Sequence, residues 1–143
     1  MSAVKHVAFT GTQRGMQPAQ GVAFTELICM LRPDWLHHGN CIGADKEAHE
    51  VVRACLPTKI RLHPCNIASK QAGCIGDSVE LVLPPLVRNR VMVDQCPILV
   101  ATPGEVDEML RSGTWATIRY ARAKKRTIYL ITPLGDVING AIK

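Results

Sequence analysis

The chain has 143 residues, 47% of them hydrophobic and 20% charged, which is typical of one globular domain with a substantial core. Its formal charge of +5 and pI of about 9.0 favour anionic ligands. No run of Lys and Arg is interleaved with aromatic residues, so nucleic-acid binding is not expected. The start lacks the apolar core of a signal peptide, and no stretch of 18 apolar residues occurs, so we expect a cytoplasmic protein without a membrane partner.

The first predicted strand covers residues 4–10 and ends at a turn, residues 11–15, with a glycine at each end. This turn carries the hydroxyl of Thr12, the amide of Gln13 and the guanidinium of Arg14, which suit phosphate or sugar oxygens. An ordinary polar turn is the alternative interpretation. The glycine spacing differs from G-x-G-x-x-G, so the turn is not a dinucleotide-binding fingerprint.

A helix is predicted from Pro18 to about Leu31, with Val22 on its buried side. A short strand-like stretch follows, and residues 40–45 then form a second turn that contains a glycine. Asp45 opens the next predicted helix. This residue either caps the helix, the commoner role for an Asp there, or faces a ligand site at the same turn.

The least regular part of the chain is residues 65–84, which follow a third predicted strand. So long an irregular segment in a compact domain is often a functional loop or lid. The apolar stretch 79–83 within it predicts burial against the domain or against a second subunit. A helix is predicted to resume at about Pro85, and it carries Arg88 and Asn89.

The last part of the chain is predicted to form a strand, a loop, a helix and a strand. A buried strand starts at Ile98, and Ser112, Gly113 and Thr114 lie where the following helix should begin. A helix start that follows a buried strand presents hydroxyl and free backbone N–H groups, which bind phosphate or carboxylate. An ordinary N-cap is the alternative interpretation.

The alternation of strands and helices predicts the α/β class. Aromatic residues are only 4% of the chain, so the core must consist of Val, Ile, Leu and Ala. We expect a single domain, residues 1–143, with a Rossmann-like doubly wound parallel sheet of about five strands in the order 3-2-1-4-5 and helices on both faces. In this order the turns at 11–15 and 104–114 flank the topological switch point, where ligands bind in open α/β sheets.

The six cysteines are spread through helix and strand patterns without a C-x-x-C pair, so we expect free thiols. His37 and His38 lie near Cys41, and His63 lies near Cys65, but these spacings match no standard zinc pattern. The sequence therefore predicts no metal and no cofactor.

Four segments, taken in order, resemble the SLOG superfamily, the Rossmann-like group that includes the Lonely Guy phosphoribohydrolases and the DprA fold. The segments are residues 9–12, 38–45, 88–92 and 112–114, and together they span nearly the whole chain. The resemblance implies a nucleotide or nucleotide-derived ligand over the switch point. It also implies a homodimer or a higher homo-oligomer.

One departure from the Lonely Guy pattern concerns catalysis. Those enzymes carry Pro-Gly-Gly-x-Gly-Thr-x-x-Glu, and its glutamate, with an upstream arginine, serves N-glycosidic cleavage. Here Arg88 matches the arginine, but Thr117 stands at the glutamate's position, and a hydroxyl cannot replace a carboxylate there. The resemblance therefore favours a binding module, meaning a sensor, carrier or sequestering protein. The alternative is a nucleotide N-glycoside hydrolase whose catalytic candidates are Arg88, Asp45 and Glu105.

In the binding interpretation, Arg14, Ser112, Thr114 and Thr117 hold phosphate or ribose, and Arg88 acts as a clamp. The full set of expected ligand-binding residues combines the three turns with the segment that contains Arg88. They are Gly11, Thr12, Gln13, Arg14, Gly43, Asp45, Arg88, Asn89, Ser112, Gly113, Thr114 and Thr117.

Overall fold

The computed structural model describes residues 3–142, which form seven strands and four α-helices. The strands are β1 (His6–Gly11), β2 (Trp35–His38), β3 (Lys59–Leu62), β4 (Ser78–Val79), β5 (Ile98–Thr102), β6 (Thr127–Ile131) and β7 (Val137–Asn139). The helices are α1 (Pro18–Leu31), α2 (Ala44–Cys55), α3 (Pro85–Asp94) and α4 (Gly113–Ala123), with a short 3-10 helix at Ala68–Lys70. No helix of the described chain is long and apolar enough to cross a membrane.

The strands form one sheet in the order β4-β3-β2-β1-β5-β6-β7. All neighbouring pairs are parallel except β6 and β7. The predicted order 3-2-1-4-5 is confirmed, because it corresponds to β3-β2-β1-β5-β6. The two edge strands were not predicted. They have only two and three residues, too few for an apolar period to appear in the sequence.

Helices pack on both faces of the sheet, as predicted. On one face α1 and α2 cover a core in which the rings of Phe9 and Phe24 meet edge to face with centroids 5.1 Å apart. On the other face Met92 of α3 and Trp115 and Ile118 of α4 are buried over β1, β5 and β6. The sheet therefore lies between two helix layers.

The side of α1 that faces the core differs in one residue from the prediction. The buried positions of α1 follow the spacing i, i+3, i+4, i+7, whereas Val22 lies off this face and is 61% exposed. The prediction that Val22 is buried is therefore wrong. Burial of residues 79–83 against the domain is also wrong, since Leu81 is 80% exposed and β4 contributes little more than backbone pairing to the edge of β3.

Candidate ligand-binding cavity at the switch point

A cavity of about 390 Å³ opens at the carboxyl ends of the central strands, within the size range of small-molecule sites. Gly11 at the end of β1 pairs with Thr102 at the end of β5, so the cavity lies where the strand order reverses. Four chain segments line it: residues 9–14, 39–45, 85–92 and 104–114. Lys70 comes from a fifth segment. The switch-point geometry predicted from the two glycine turns is present.

Ten of the twelve expected ligand-binding residues line this cavity, and Gly43 and Thr117 do not. Gly43 has a φ of 86°, and a Cβ there would collide with the carbonyl of Gln13, so this glycine lets the first two turns pack together. The Thr117 hydroxyl donates to the Gly113 carbonyl at 2.9 Å, and the residue is buried beside a separate groove between α3 and α4.

The start of α4 presents two unused backbone donors to the cavity. The Ser112 hydroxyl accepts from the Trp115 N–H at 3.2 Å, so Ser112 is the N-cap. Within the described part of the chain, the N–H groups of Gly113 and Thr114 have no hydrogen-bond acceptor. The N-cap and the anion-site interpretations are therefore compatible at this helix end. The Ser112 cap satisfies one backbone N–H group, and two N–H groups remain available to an anion.

Arg14 and Glu105 form an ion pair at the cavity. Arg14 Nη2 lies 2.7 Å from Glu105 Oε2, and the Arg14 side chain is 71% exposed against 30% for Glu105. Arg14 Nε also donates to the Thr12 hydroxyl at 3.4 Å. The other oxygen, Glu105 Oε1, is buried and accepts no hydrogen bond from residues 3–142. Glu105 therefore pairs with the Arg14 guanidinium, the group that a ligand anion would otherwise contact.

Arg88 is buried and ties α3 to the ends of two strands. Its Nη1 donates to the carbonyls of Gly39 at 2.7 Å and of His63 at 2.8 Å, and its Nε donates to the Pro85 carbonyl at 3.2 Å. Its Nη2 lies 3.4 Å from the Cys41 sulfur. Most of the hydrogen-bonding capacity of this guanidinium is therefore used to hold the cavity wall together.

Asp45 is a buried carboxylate beside Arg88. Its Oδ2 accepts the N–H groups of Gly39 at 3.0 Å and of Cys41 at 3.2 Å, which closes the turn before α2. Burial raises the pKa of Asp45 to about 6, and the positive charge of Arg88 opposes that rise. Asp45 is thus both the organiser of its turn and a cavity carboxyl that titrates near neutral pH.

Two cations that were not expected also line the cavity, Lys70 and Arg111. Neither side chain forms an ion pair or hydrogen bond with the residues that the structure describes. Arg111 directly precedes Ser112, and this position next to a helix start was an available signal. No local sequence signal marked Lys70, because long-range backbone pairing brings it to the cavity. In this pairing the Lys70 carbonyl accepts the Ile42 N–H at 2.9 Å.

Three side chains have the composition of a metal site, since donor atoms of His38, His49 and Cys74 lie within 4.8 Å of one another. However, His38 Nδ1 accepts the Asn40 N–H at 3.0 Å, which places the neutral ring's proton on Nε2. His38 Nε2 lies 2.9 Å from His49 Nδ1 and donates to it. A metal would have to displace that proton, so this cluster fits a hydrogen-bonded pair and does not fit a metal.

Neither a protein-family model nor a curated protein matches this chain. Among solved structures, it is similar to the molybdenum cofactor binding protein of Rippkaea orientalis, with 15% identity and a TM-score of 0.64 over 92% of this chain and 78% of that one. The molybdenum cofactor carrier protein of Chlamydomonas reinhardtii gives 17% identity and a TM-score of 0.63, covering 91% and 78%. DNA processing protein A of Streptococcus pneumoniae has 16% sequence identity and a TM-score of 0.65, over 96% of this chain and 53% of that one.

These similarities define the class of fold. The chain has the predicted Rossmann-like fold and shares it with these proteins, and the parallel sheet, the two helix layers and the switch-point cavity agree with the SLOG resemblance noted from its four motifs. The chain spans about half the length of DNA processing protein A, and most of each cofactor-binding protein. At these identities the likeness concerns the fold, and the chemistry has to be argued from the cavity itself.

Proposed function

We propose that the chain binds a small nucleotide or nucleotide-derived ligand in the switch-point cavity and acts as a sensor, carrier or sequestering protein. The observation that carries this proposal is the pair of unused N–H groups of Gly113 and Thr114, which begin an eleven-residue helix at the cavity. A helix N-terminus attracts anions through these groups and through its dipole.

The charges around the cavity support an anionic ligand. Four cations line it, against two carboxylates. The cations are Arg14, Lys70, Arg88 and Arg111, and the carboxylates are Asp45 and Glu105. The molybdenum cofactor proteins with this fold, as their names state, bind or carry a small molecule, which is consistent with a ligand-carrying role here.

The enzyme alternative is N-glycoside hydrolysis, and it would need a carboxylate at the sugar. Thr117 cannot contribute, since it lies outside the cavity and its hydroxyl is bonded to Gly113. The cavity carboxylates are both engaged, Asp45 with two backbone N–H groups and Glu105 with Arg14. Asp45, with its raised pKa, has the character of a general acid or base, but its Oδ2 is committed to the turn before α2, so binding without cleavage is favoured.

We also propose that the chain forms a homodimer through the groove between α3 and α4. Large apolar side chains on the elements that form this groove are uncovered in the single chain: Leu86, which lines it, is 51% exposed, Val87 of α3 is 45% exposed, and Leu110, which precedes α4, is 88% exposed. A second copy that buries them would lie close to the ligand, because Leu86 lines both the groove and the cavity. Light scattering of Leu86→Asp against wild type tests this, and an unchanged monomer mass in both would refute it.

A thermal-shift panel of mono-, di- and cyclic nucleotides tests the binding proposal. Ligand at 100 times its dissociation constant stabilises the folded state by about 2.7 kcal/mol. For a domain of this size we expect the melting temperature to rise by roughly 5–10 °C. A panel without any stabilising nucleotide would contradict the proposal.

A further inference from the structure

We propose that the cavity recognises its ligand with two chemically different walls, and that Asp45 and Lys70 are specificity-determining residues. The anion wall is the loop 104–111 with the start of α4, and it holds the ligand's anionic group. The polar wall is Gly39, Cys41, Asp45, Lys70 and Arg88, and it hydrogen-bonds the uncharged nucleoside end. This inference rests on the proposed function and adds the ligand's orientation.

The strand order separates the two walls. The anion wall follows β5, whereas Gly39, Cys41 and Asp45 of the polar wall follow β2, and β1 lies between these two strands in the sheet. Neighbouring strands lie about 4.8 Å apart, so the carboxyl ends of β2 and β5 lie roughly 10 Å apart. A ligand that reaches from one strand end to the other can touch both walls. A ligand that does so must extend across the end of β1, over Gly11 and Thr12.

The anion wall concentrates unused donors. The N–H groups of Gly113 and Thr114 and the side chain of Arg111 are free of partners among residues 3–142. The carboxylate of this wall that lines the cavity, Glu105, already pairs with Arg14 at 2.7 Å, which offsets its repulsion of an anion. Unused donors beside a compensated carboxylate suit a phosphate group.

The polar wall offers a donor and an acceptor instead. Arg88 uses Nη1 on two carbonyls, while Asp45 places a carboxylate beside it that repels phosphate. The second Asp45 oxygen, Oδ1, accepts no N–H group of the described chain, and the Lys70 ammonium has no partner there. A carboxylate oxygen that accepts no N–H group and an ammonium without a partner on one wall match the hydrogen-bonding edge of a base or the hydroxyls of ribose.

The test measures, by calorimetry, the affinity of inorganic phosphate and of four nucleoside monophosphates, and takes their ratio as the nucleoside contribution. Arg111→Ala should weaken phosphate and nucleotides equally, by about tenfold, and leave the ratio unchanged. Lys70→Ala and Asp45→Asn should lower the ratio by about five- to tenfold and leave phosphate affinity within about twofold. Asn at position 45 retains an acceptor for the N–H groups of Gly39 and Cys41.

Lys46→Ala and Glu50→Gln are matched controls, because both side chains are exposed on α2 and neither lines the cavity. Both should leave all affinities unchanged. An equal loss of phosphate affinity in Lys70→Ala and Arg111→Ala would overturn the division into two walls while nucleotide binding itself stands. An unchanged ratio in both Lys70→Ala and Asp45→Asn would overturn it as well. A wild type that binds neither phosphate nor nucleotide would refute the proposed function and this inference together.

Discussion

The fold should lose stability steeply as pH falls from 7 to 5, because three fully buried histidines are neutral in the native state. His37 lies in a hydrogen-bonded chain between His6 at 2.8 Å and His63 at 2.9 Å. Burial, and then His63, lowers the pKa of His37 to about 3. Burial, and then His49, lowers the pKa of His38 to about 3, and burial lowers that of His63 to about 4.

The sign follows from proton uptake. In the unfolded chain these imidazoles have pKa values near 6.5, so below that pH the unfolded state binds more protons and the free energy of unfolding falls. At pH 5 each of the three histidines lowers the free energy of unfolding by about 2 kcal/mol relative to neutral pH. Asp45 acts in the opposite direction, because its raised pKa makes the folded state take up a proton first, and it returns about 1.4 kcal/mol. The net loss at pH 5 is therefore about 4–5 kcal/mol.

Urea unfolding monitored by circular dichroism at pH 7.5, 6.5, 5.5 and 5.0 gives this free energy directly. His37→Gln removes one of the three groups, so the net loss of stability between neutral pH and pH 5 should be about 40% smaller than in wild type. A free energy of unfolding that stays constant to within about 1 kcal/mol from pH 7.5 to 5.0 would refute the assignment of neutral buried imidazoles.

Three further predictions concern the cavity. Arg88→Ala should destabilise the fold by about 3 kcal/mol in urea unfolding, because Arg88 is buried and the carbonyls to which it donates lose their donor. Glu105→Gln should release Arg14 and tighten phosphate binding about threefold, measured by calorimetry, whereas Arg14→Ala should weaken phosphate binding. Equal phosphate affinities of the two variants would contradict this prediction. Neither wild type nor Thr117→Glu should release free base from nucleoside monophosphates, as measured by chromatography, since position 117 lies outside the cavity. Rapid release of base by wild type would favour the hydrolase alternative.

Most of the fold was predictable, because its signals are local. Short apolar runs that end in glycine turns identify β1 and β5, and the rules for doubly wound sheets then bring their carboxyl ends together. The edge strands β4 and β7 were not predictable, since they depend on pairing with strands already in place. The exposure of Val79, Leu81 and Val82 has the same cause. An apolar run shows that side chains favour burial, but it does not show whether a surface exists to cover them.

The site was predictable where each residue acts through its own turn. Thr12 and Gly113 belong to turns whose form the sequence specifies, and both line the cavity. Arg88 was predicted as a ligand clamp, yet its Nη1 is used by the carbonyls of Gly39 and His63, and no local pattern reveals so distant a partner. Lys70 was missed for the same reason, because the segment that carries it is positioned by contacts with residues 40–42.

The central claim is that backbone N–H groups at the start of α4 hold an anion, and Gly113 allows a direct measurement of it. Proline is tolerated at the first helical position, where Gly113 lies, so Gly113→Pro deletes one N–H and preserves the helix. Gly113→Ala is the matched control, since a Cβ there meets no atom within 4 Å and the N–H remains. By calorimetry with a nucleoside monophosphate, the proline variant should bind about tenfold more weakly than the alanine variant, at comparable melting temperatures. Equal affinities in the two variants would contradict the claim.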